Sequence, residues 1–188
     1  MMQKKVQIIS DGSLDLSQEL TKEKDIEVVP FYVSFDSETY QKEMVEVGVR
    51  EFYQEMVDHP TVFPKTSMPS VHDYYEVFEK HAKEQLPVIC ICITRKFSGS
   101  LQSATTAKDM ILEEYPDAQI TVIDSTVNTV LQGLYVLEAC RLRDMGLEYQ
   151  QIVDALLPIR ETGRIFFTIG SIDYLKPVSY THLRAHET

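Results

Sequence analysis

The chain has 188 residues, of which 44% are apolar and 25% are charged, and a formal net charge of −11. This composition is typical of a globular protein. The acidic balance argues against a nucleic-acid-binding protein, because contacts to phosphates need clustered lysine and arginine. No apolar run is long enough to cross a bilayer and the N-terminus lacks the pattern of a signal peptide, so we expect a cytoplasmic protein without stable membrane insertion.

The apolar pattern predicts strands that alternate with helices along the chain. Strands are expected at residues 6–9, 26–35 (interrupted by Pro30), 88–93, 120–123 and 164–169, and helices at 16–24, 49–56, from 70, from 98, at 130–144 and at 149–159. Such alternation favours parallel βαβ units with right-handed crossovers. The predicted fold class is therefore α/β, with a parallel sheet flanked by helices.

Polar residues follow three of the predicted strands, at Ser10-Asp11, at residues 94–100 and at Asp124-Ser125. In a parallel sheet, ligands bind outside the carboxyl ends of the strands. We therefore expect these three segments to lie on one rim of the sheet and to form the binding region.

The segment at residues 94–104 joins a buried strand to a long helix. Ser98 is predicted to be the N-cap of that helix, and a helix start attracts small anions through its unpaired N–H groups and partial positive charge. Gly99 allows a ligand to approach the backbone closely, and Ser100 adds a second hydroxyl. The segment is thus a candidate anion site.

A second hydroxyl-rich segment lies at residues 63–70 and is predicted to be a loop. It contains Thr66 and Ser67 between two prolines, and Ser70 with Asp73 predicts a capping box for the next helix. Together, the two segments could hold a carboxylate through neutral donors, without an arginine.

An enzyme is the alternative. Asp11 could be the nucleophile of a small phosphatase, but that chemistry needs a second carboxylate two positions away, and one such position is Ile9. Asp11 is better explained as a turn or cap residue. Ser98 could be a hydrolase nucleophile, but no histidine falls in a strand-end loop to serve as its base.

Three cysteines, at positions 90, 92 and 140, lack the spacing of a metal site. Cys90 and Cys92 alternate onto one face of a predicted strand, where a buried thiol behaves as a small apolar side chain. We expect structural roles for them, with no metal and no cofactor.

The order of several motifs makes the chain similar to the DegV family, the fatty-acid-binding partners of bacterial fatty acid kinase. The resemblance covers residues 6–176. Its motifs lie at residues 9–16 (ISDGSLDL), 28–33 (VVPFYV), 64–70 (PKTSMPS), 97–104 (FSGSLQSA) and 122–125 (VIDS).

This resemblance implies a binding protein, not an enzyme, whose ligand is a long-chain fatty acid. Thr66 and Ser98 match the family residues that hold the ligand carboxylate, and Ser67, Gly99 and Ser100 are secondary candidates. The resemblance also implies that a kinase catalytic subunit phosphorylates the presented carboxylate and that the acyl phosphate enters phospholipid synthesis.

The resemblance also sets expectations for the domains. Residues 1–160 are expected to form the N-terminal α/β region, with residues 60–70 facing a second domain that begins at 161–176 and is mostly missing. Residues 177–188 look like a translated sequencing adaptor. Three positions depart from the family pattern, because Met68, Ser100 and Leu131 stand where glutamine, threonine and glycine are common.

Overall fold

The computed structural model describes residues 6–166 and 168. They divide into two compact units. The first unit comprises residues 6–31 and 68–164, and the second comprises residues 32–67, 165, 166 and 168.

The described residues form seven strands and six α-helices. The strands are β1 (Gln7–Asp11), β2 (Ile26–Val29), β3 (Tyr32–Ser34), β4 (Gln41–Lys42), β5 (Lys65–Ser67), β6 (Val88–Cys92) and β7 (Ile120–Asp124). The helices are α1 (Gln18–Glu23), α2 (Val49–Asp58), α3 (Val71–Lys83), α4 (Ser100–Glu114), α5 (Thr129–Asp144) and α6 (Tyr149–Ile159), and a short 3₁₀ helix covers Gly12–Leu14. None of these helices combines the length and the apolar content that crossing a bilayer requires.

The first unit contains a parallel sheet in the order β2-β1-β6-β7. Ile9 of β1 lies opposite Cys90 of β6, which lies opposite Val122 of β7. The predicted α/β class with a parallel sheet and flanking helices is therefore confirmed. Each strand carries a run of apolar residues because helices cover both faces of the sheet.

Alternating side chains divide the core of this unit into two clusters. Ile8 and Ile91 pack with the cluster that includes residues of α5 and α6. On the other face, Ile9, Cys90 and Cys92 pack with residues of α3 and α4. The two cysteines are fully buried on one face, as their spacing predicts.

The second unit contains a small antiparallel sheet in the order β4-β3-β5, together with α2. The interruption that Pro30 predicts within residues 26–35 is confirmed, but the parts before and after it are two strands, β2 and β3, that belong to different sheets. The prediction of a loop over residues 63–70 is wrong in part, because Lys65–Ser67 form β5 and pair with β3. This strand is short and polar, so it shows no apolar alternation.

Several predicted boundaries shift. β1 continues through Ser10 and Asp11, where a turn was predicted, because these residues pair with Val28 and Val29 of β2. Helix α4 begins at Ser100 with Gly99 as its N-cap, so the prediction that Ser98 is the N-cap is wrong. The capping box of Ser70 and Asp73 is confirmed.

The C-terminal predictions meet the limit of the described residues. A strand was predicted at residues 164–169. Of these, residues 164–166 and 168 are described, and they belong to no strand. Residues 167 and 169, and the segment 177–188 predicted to derive from an adaptor, lie outside the described residues. The predicted domain boundaries remain predictions.

Gly133 allows α5 to approach the 3₁₀ helix closely. A Cβ at this position would collide with the carbonyl oxygen of Leu14 and would lie 2.8 Å from Leu16 Cδ2. Leu131 packs against Gly163, where a Cβ would lie 2.8 Å from Leu131 Cδ2. The start of α5 therefore depends on one glycine for its place beside β1.

We expect Gly133→Ala to lower the free energy of unfolding by about 2 kcal/mol, because the backbone of residues 14–16 must move to admit a methyl group. Urea unfolding measures the change. Gly48→Ala is the matched control, because nothing lies within 4 Å of a Cβ there, and we expect it to cost less than about 1 kcal/mol. Equal losses in the two variants would contradict the close approach.

A second prediction concerns Glu27 on β2, whose carboxylate lies 2.6 Å from His81 Nε2 and 3.0 Å from Lys80 Nζ. Burial raises the pKa of Glu27, but the hydrogen bonds from His81 and Lys80 outweigh it and lower the pKa from its ordinary value of 4.5. A lowered folded-state pKa stabilises the protein above the unfolded value, and that stability is lost as the pH falls through the folded value.

We therefore expect the stability of the protein to fall below pH 4.5, and to fall less steeply in Glu27→Gln. Urea unfolding at a series of pH values between about 7 and 3 tests this. Glu113→Gln, at an exposed position of α4, should keep the wild-type pH dependence. An unchanged slope in Glu27→Gln would contradict the prediction.

Candidate functional site

The carboxyl ends of β1, β6 and β7 meet on one rim of the parallel sheet, as the sequence predicts. The Ile93 N–H donates to Asp11 Oδ2 at 2.9 Å, which joins β1 to the residue after β6. The Ser125 N–H donates to the Cys92 carbonyl at 3.0 Å, which joins β6 to the residue after β7. Residues 94–99, which we call the Ser98 loop, leave the sheet at this rim.

Asp11 is the most constrained polar residue of the rim. It is fully buried, and its carboxylate receives four hydrogen bonds. Ile93 N and Ser100 Oγ donate to Oδ2 at 2.9 and 2.7 Å, while Gln132 Nε2 and Ser13 Oγ donate to Oδ1 at 2.8 and 2.9 Å. Burial raises the pKa of Asp11, and the four hydrogen bonds oppose that effect without cancelling it.

Asp11 is the N-cap residue of the 3₁₀ helix at Gly12–Leu14, as the sequence suggests, but its carboxylate makes no cap hydrogen bond. Three of its partners lie more than 80 positions away in the chain. Its carboxylate connects the end of β1 to the end of β6, to the start of α4 and to the start of α5. The structural role is as predicted, but the partners are long-range.

A buried chain of polar groups leads from Asp11 into the core. The Tyr74 hydroxyl lies 2.6 Å from Ser100 Oγ and 3.7 Å from Cys92 Sγ, and Cys90 Sγ lies 3.7 Å from Cys92 Sγ. Because the Ser100 proton is donated to Asp11, the Tyr74 hydroxyl donates to Ser100. Burial raises the pKa of Tyr74, and the contact with Cys90 together with burial raises the pKa of Cys92, so both groups stay protonated and able to donate at neutral pH.

Ser98 is half-buried in the Ser98 loop. Its Oγ accepts the Ser100 N–H at 3.2 Å, so it serves the start of α4 although it lies one residue before the N-cap. Its own backbone N–H donates to the Thr94 carbonyl at 3.3 Å. The Ser98 hydroxyl proton is donated to no other described residue and is available for a ligand.

Gly99 is exposed and brings the backbone close to a neighbouring side chain. A Cβ at this position would lie 2.6 Å from Met68 Sδ, so any larger residue would displace that thioether. Within the described residues, the backbone N–H groups of Gly99, Leu101 and Gln102 have no protein acceptor. The start of α4 therefore presents unpaired donors beside the Ser98 hydroxyl, which is the arrangement that binds small anions.

Ser100 occupies a different position from Ser98. It is fully buried, and its hydroxyl contacts both Asp11 and Tyr74. A direct ligand contact by Ser100 remains a prediction. In the structure its side chain is bonded to Asp11 and Tyr74 in the core.

Thr66 and Ser67 belong to the second unit. Both are exposed on β5, where Thr66 lies opposite Val33 and Ser67 lies opposite Tyr32. Thr66 Oγ1 makes no hydrogen bond to another described residue. The structure thus brings Ser98, Gly99 and Ser100 together on one loop of the first unit and places Thr66 and Ser67 on a strand of the second.

The loop after β7 supports the Ser98 loop and has a strained backbone. The Thr94 N–H donates to the Val127 carbonyl at 3.0 Å. Thr126 and Thr129 have φ angles of 61° and 52°, which β-branched residues rarely adopt. Thr126 is held there by hydrogen bonds from its Oγ1 to the Arg160 carbonyl and from its N–H to Asp124.

The sequence did not point to Gln132 or Tyr74 as parts of this region. Gln132 is fully buried, and its Nε2 donates to Ser10 Oγ at 3.0 Å as well as to Asp11. Both residues fall at core positions of amphipathic helices. The one signal in the sequence is a glutamine among the apolar residues at the start of α5.

The geometry argues against a hydrolase or phosphatase. Asp11 cannot attack a substrate, because it is fully buried and both of its oxygens accept hydrogen bonds. Ser98 has no base, since the histidines of the described part contact glutamates instead: His59 lies beside Glu55, His72 beside Glu76 and His81 beside Glu27. No group of three or more metal-ligating side chains occurs within residues 6–166 and 168.

The second unit also contains an open cavity of about 540 Å³. Its lining includes the apolar side chains of Phe35, Val47 and Val62, together with the carboxylates of Glu51 and Glu55. Its lining residues all belong to the second unit, whereas the Ser98 loop belongs to the first.

Comparison with known proteins identifies the family. The family profile described as "Uncharacterised protein, DegV family" matches residues 5–177. The chain belongs to the DegV family. A DegV domain-containing protein of Halalkalibacterium halodurans is 33% identical over 172 residues, which cover 91% of this chain and 59% of that protein.

Solved structures show the same fold. A stearic acid-binding protein from Eubacterium ventriosum is 47% identical, with a TM-score of 0.87, over 92% of this chain and 59% of that one. A DegV family protein from Thermus thermophilus, described by its fatty acid binding, is 29% identical, with a TM-score of 0.70, over 84% of this chain and 54% of that one. The chain thus spans between half and three fifths of the length of these relatives.

Proposed function

We propose that this protein binds a long-chain fatty acid. The observation that carries the proposal is the 47% identity and TM-score of 0.87 to a stearic acid-binding protein over 92% of the chain. The site chemistry agrees with a ligand that is held and not transformed, because Ser98 has an available proton and no base among the residues that the structure describes. No cofactor takes part in this function.

The ligand carboxylate is held by hydroxyl groups in this proposal. Ser98 donates its free proton, the unpaired N–H groups at the start of α4 add further donors, and Thr66 supplies the second hydroxyl. Ser67, Gly99 and Ser100 have secondary roles. These donors matter because a carboxylate taken out of water without hydrogen bonds is costly. Affinity comes from the acyl chain, at about 0.8 kcal/mol for each CH₂ that is buried.

The bound carboxylate is presented to a fatty acid kinase catalytic subunit, which transfers a phosphoryl group to it. The acyl phosphate then enters phospholipid synthesis in the cytoplasm. The exposed position of Gly99 and the half-exposed position of Ser98 support this step, since a partner must reach the carboxylate. In the full-length protein, residues 60–70 face a second domain, which begins at residues 161–176 and completes the acyl site.

We expect Ser98→Ala and Thr66→Ala each to weaken stearate binding by about 1–3 kcal/mol, because each removes a hydrogen bond to a charged group. Titration calorimetry on the chain, continued to the length of its relatives, measures the affinity. Thr61→Ala is the matched control, since Thr61 is an exposed hydroxyl in the turn before β5. Ser98→Thr keeps the hydroxyl and should lose less affinity than Ser98→Ala.

Unchanged stearate affinity in both alanine variants would overturn the assignment of these residues. An equal loss in Thr61→Ala would also count against it, because the effect would then not depend on the site. Methyl stearate lacks the charged head group, and its weaker binding should respond little to either variant.

The kinase step has its own test. Protein loaded with stearate, mixed with Mg²⁺-ATP and a fatty acid kinase catalytic subunit, should yield stearoyl phosphate, and the yield should fall in Ser98→Ala in proportion to lost occupancy. Mass spectrometry detects the product. Phosphorylation without the catalytic subunit, or none in its presence, would contradict this part of the proposal.

A further inference from the structure

One carboxylate oxygen holds both ends of the Ser98 loop. Asp11 Oδ2 accepts the N–H of Ile93, which precedes the loop, at 2.9 Å, and the hydroxyl of Ser100, which follows the loop, at 2.7 Å. Six residues therefore leave the sheet and return within the reach of a single buried atom.

The position of the Ser98 hydroxyl follows from this anchor. The Ser100 side chain is bonded to Asp11, and the Ser100 backbone N–H donates to Ser98 Oγ at 3.2 Å. Ser100 therefore links Asp11 to Ser98. The same contact occupies a lone pair of Ser98 Oγ and leaves its proton free. Two hydrogen bonds thus connect the buried carboxylate to the group that faces the ligand.

The carboxylate itself is prevented from turning. Its second oxygen, Oδ1, accepts Gln132 Nε2 at 2.8 Å and Ser13 Oγ at 2.9 Å, and Gln132 is fully buried. Ser100 cannot turn away either, because Tyr74 donates to it at 2.6 Å from within the core. Ile93, Ser100 and Gln132 therefore each donate to Asp11 in a fixed direction, whereas the single proton of Ser13 Oγ faces two acceptors, Asp11 Oδ1 at 2.9 Å and Gln132 Oε1 at 2.5 Å.

We propose that Asp11 is a positioning residue for fatty-acid binding, which touches no ligand and acts by fixing the orientation of the Ser98 hydroxyl. This inference rests on the proposed function. A general role in stability would not require a carboxylate, since apolar residues fill a buried site at lower cost. Burial raises the pKa of Asp11, which reflects the cost of keeping a charge there.

The test is stearate binding by Asp11→Asn in the chain continued to the length of its relatives. Asparagine keeps the shape of the side chain, but one of the two carboxylate oxygens becomes an NH₂ group, which cannot accept a hydrogen bond. If NH₂ replaces Oδ2, Ile93 and Ser100 lose their acceptor, and if it replaces Oδ1, Gln132 loses its acceptor. We expect the affinity for stearate to fall by about tenfold, the equivalent of one hydrogen bond to a charged group.

A double-mutant cycle with Ser98→Ala separates positioning from stability. If Asp11 acts through the Ser98 hydroxyl, Asp11→Asn has little further effect on affinity once that hydroxyl is absent. A residue that only stabilises the fold would lower the melting temperature and leave the affinity of the folded protein unchanged. Additive losses of affinity in the double mutant would overturn the inference.

Tyr135→Phe is the control for lost stability. It removes another buried hydrogen bond, from the Tyr135 hydroxyl to the Leu156 carbonyl, away from the Ser98 loop. We expect a lower melting temperature and unchanged stearate affinity. If Asp11→Asn does not fold, Ser100→Ala removes the same Oδ2 contact and should give the same non-additivity, with Ser100→Thr recovering affinity by restoring the hydroxyl.

The outcomes separate the two proposals. If Ser98→Ala loses affinity and Asp11→Asn does not, the positioning role alone is overturned. Where Asp11→Asn does not fold, an unchanged affinity in Ser100→Ala has the same meaning. Unchanged affinity in Ser98→Ala overturns the proposed ligand site, and the positioning role with it. Loss in both single variants with no further loss in the double variant supports both.

Discussion

A carboxylate buried at the end of a central strand must find hydrogen-bond donors, and the rest of this site depends on how Asp11 finds them. Its donors come from the loop after β6, from the start of α4 and from the start of α5. Because an unpaired buried charge would cost several kcal/mol, these segments are held at fixed positions around one side chain. The half-buried Ser98 side chain is joined to this arrangement through Ser100, whose N–H donates to Ser98 Oγ at 3.2 Å.

Local patterns predicted most of the fold correctly. The continuous apolar run of β6 and the helical spacing in α6 depend only on neighbours in the chain, and the capping box at Ser70 is a contact between residues three positions apart. β5 was missed because its three polar residues pair with β3 across more than 30 positions of sequence. Long-range pairing of this kind leaves no periodic signal.

The candidate site divides in the same way. Thr66 and Ser98 were predicted from short motifs, whereas Gln132 and Tyr74 are buried helix residues whose partners lie in other elements. The N-cap was assigned to Ser98 from its residue type, but the side chain of Ser100 is pulled down to Asp11 and the helix starts there. Residue type favours a serine as the N-cap, but the N-cap is Gly99, which no local pattern indicated.

The anchoring of α5 has a consequence for how the family can vary. Gln132 fixes the start of this helix against β1, while the Val127 carbonyl is bonded to Thr94. The segment between these two contacts is only four residues long, and Thr129 within it already has a positive φ. Insertions or deletions here would break one contact or the other, so the length of this segment is constrained more tightly than its residue types.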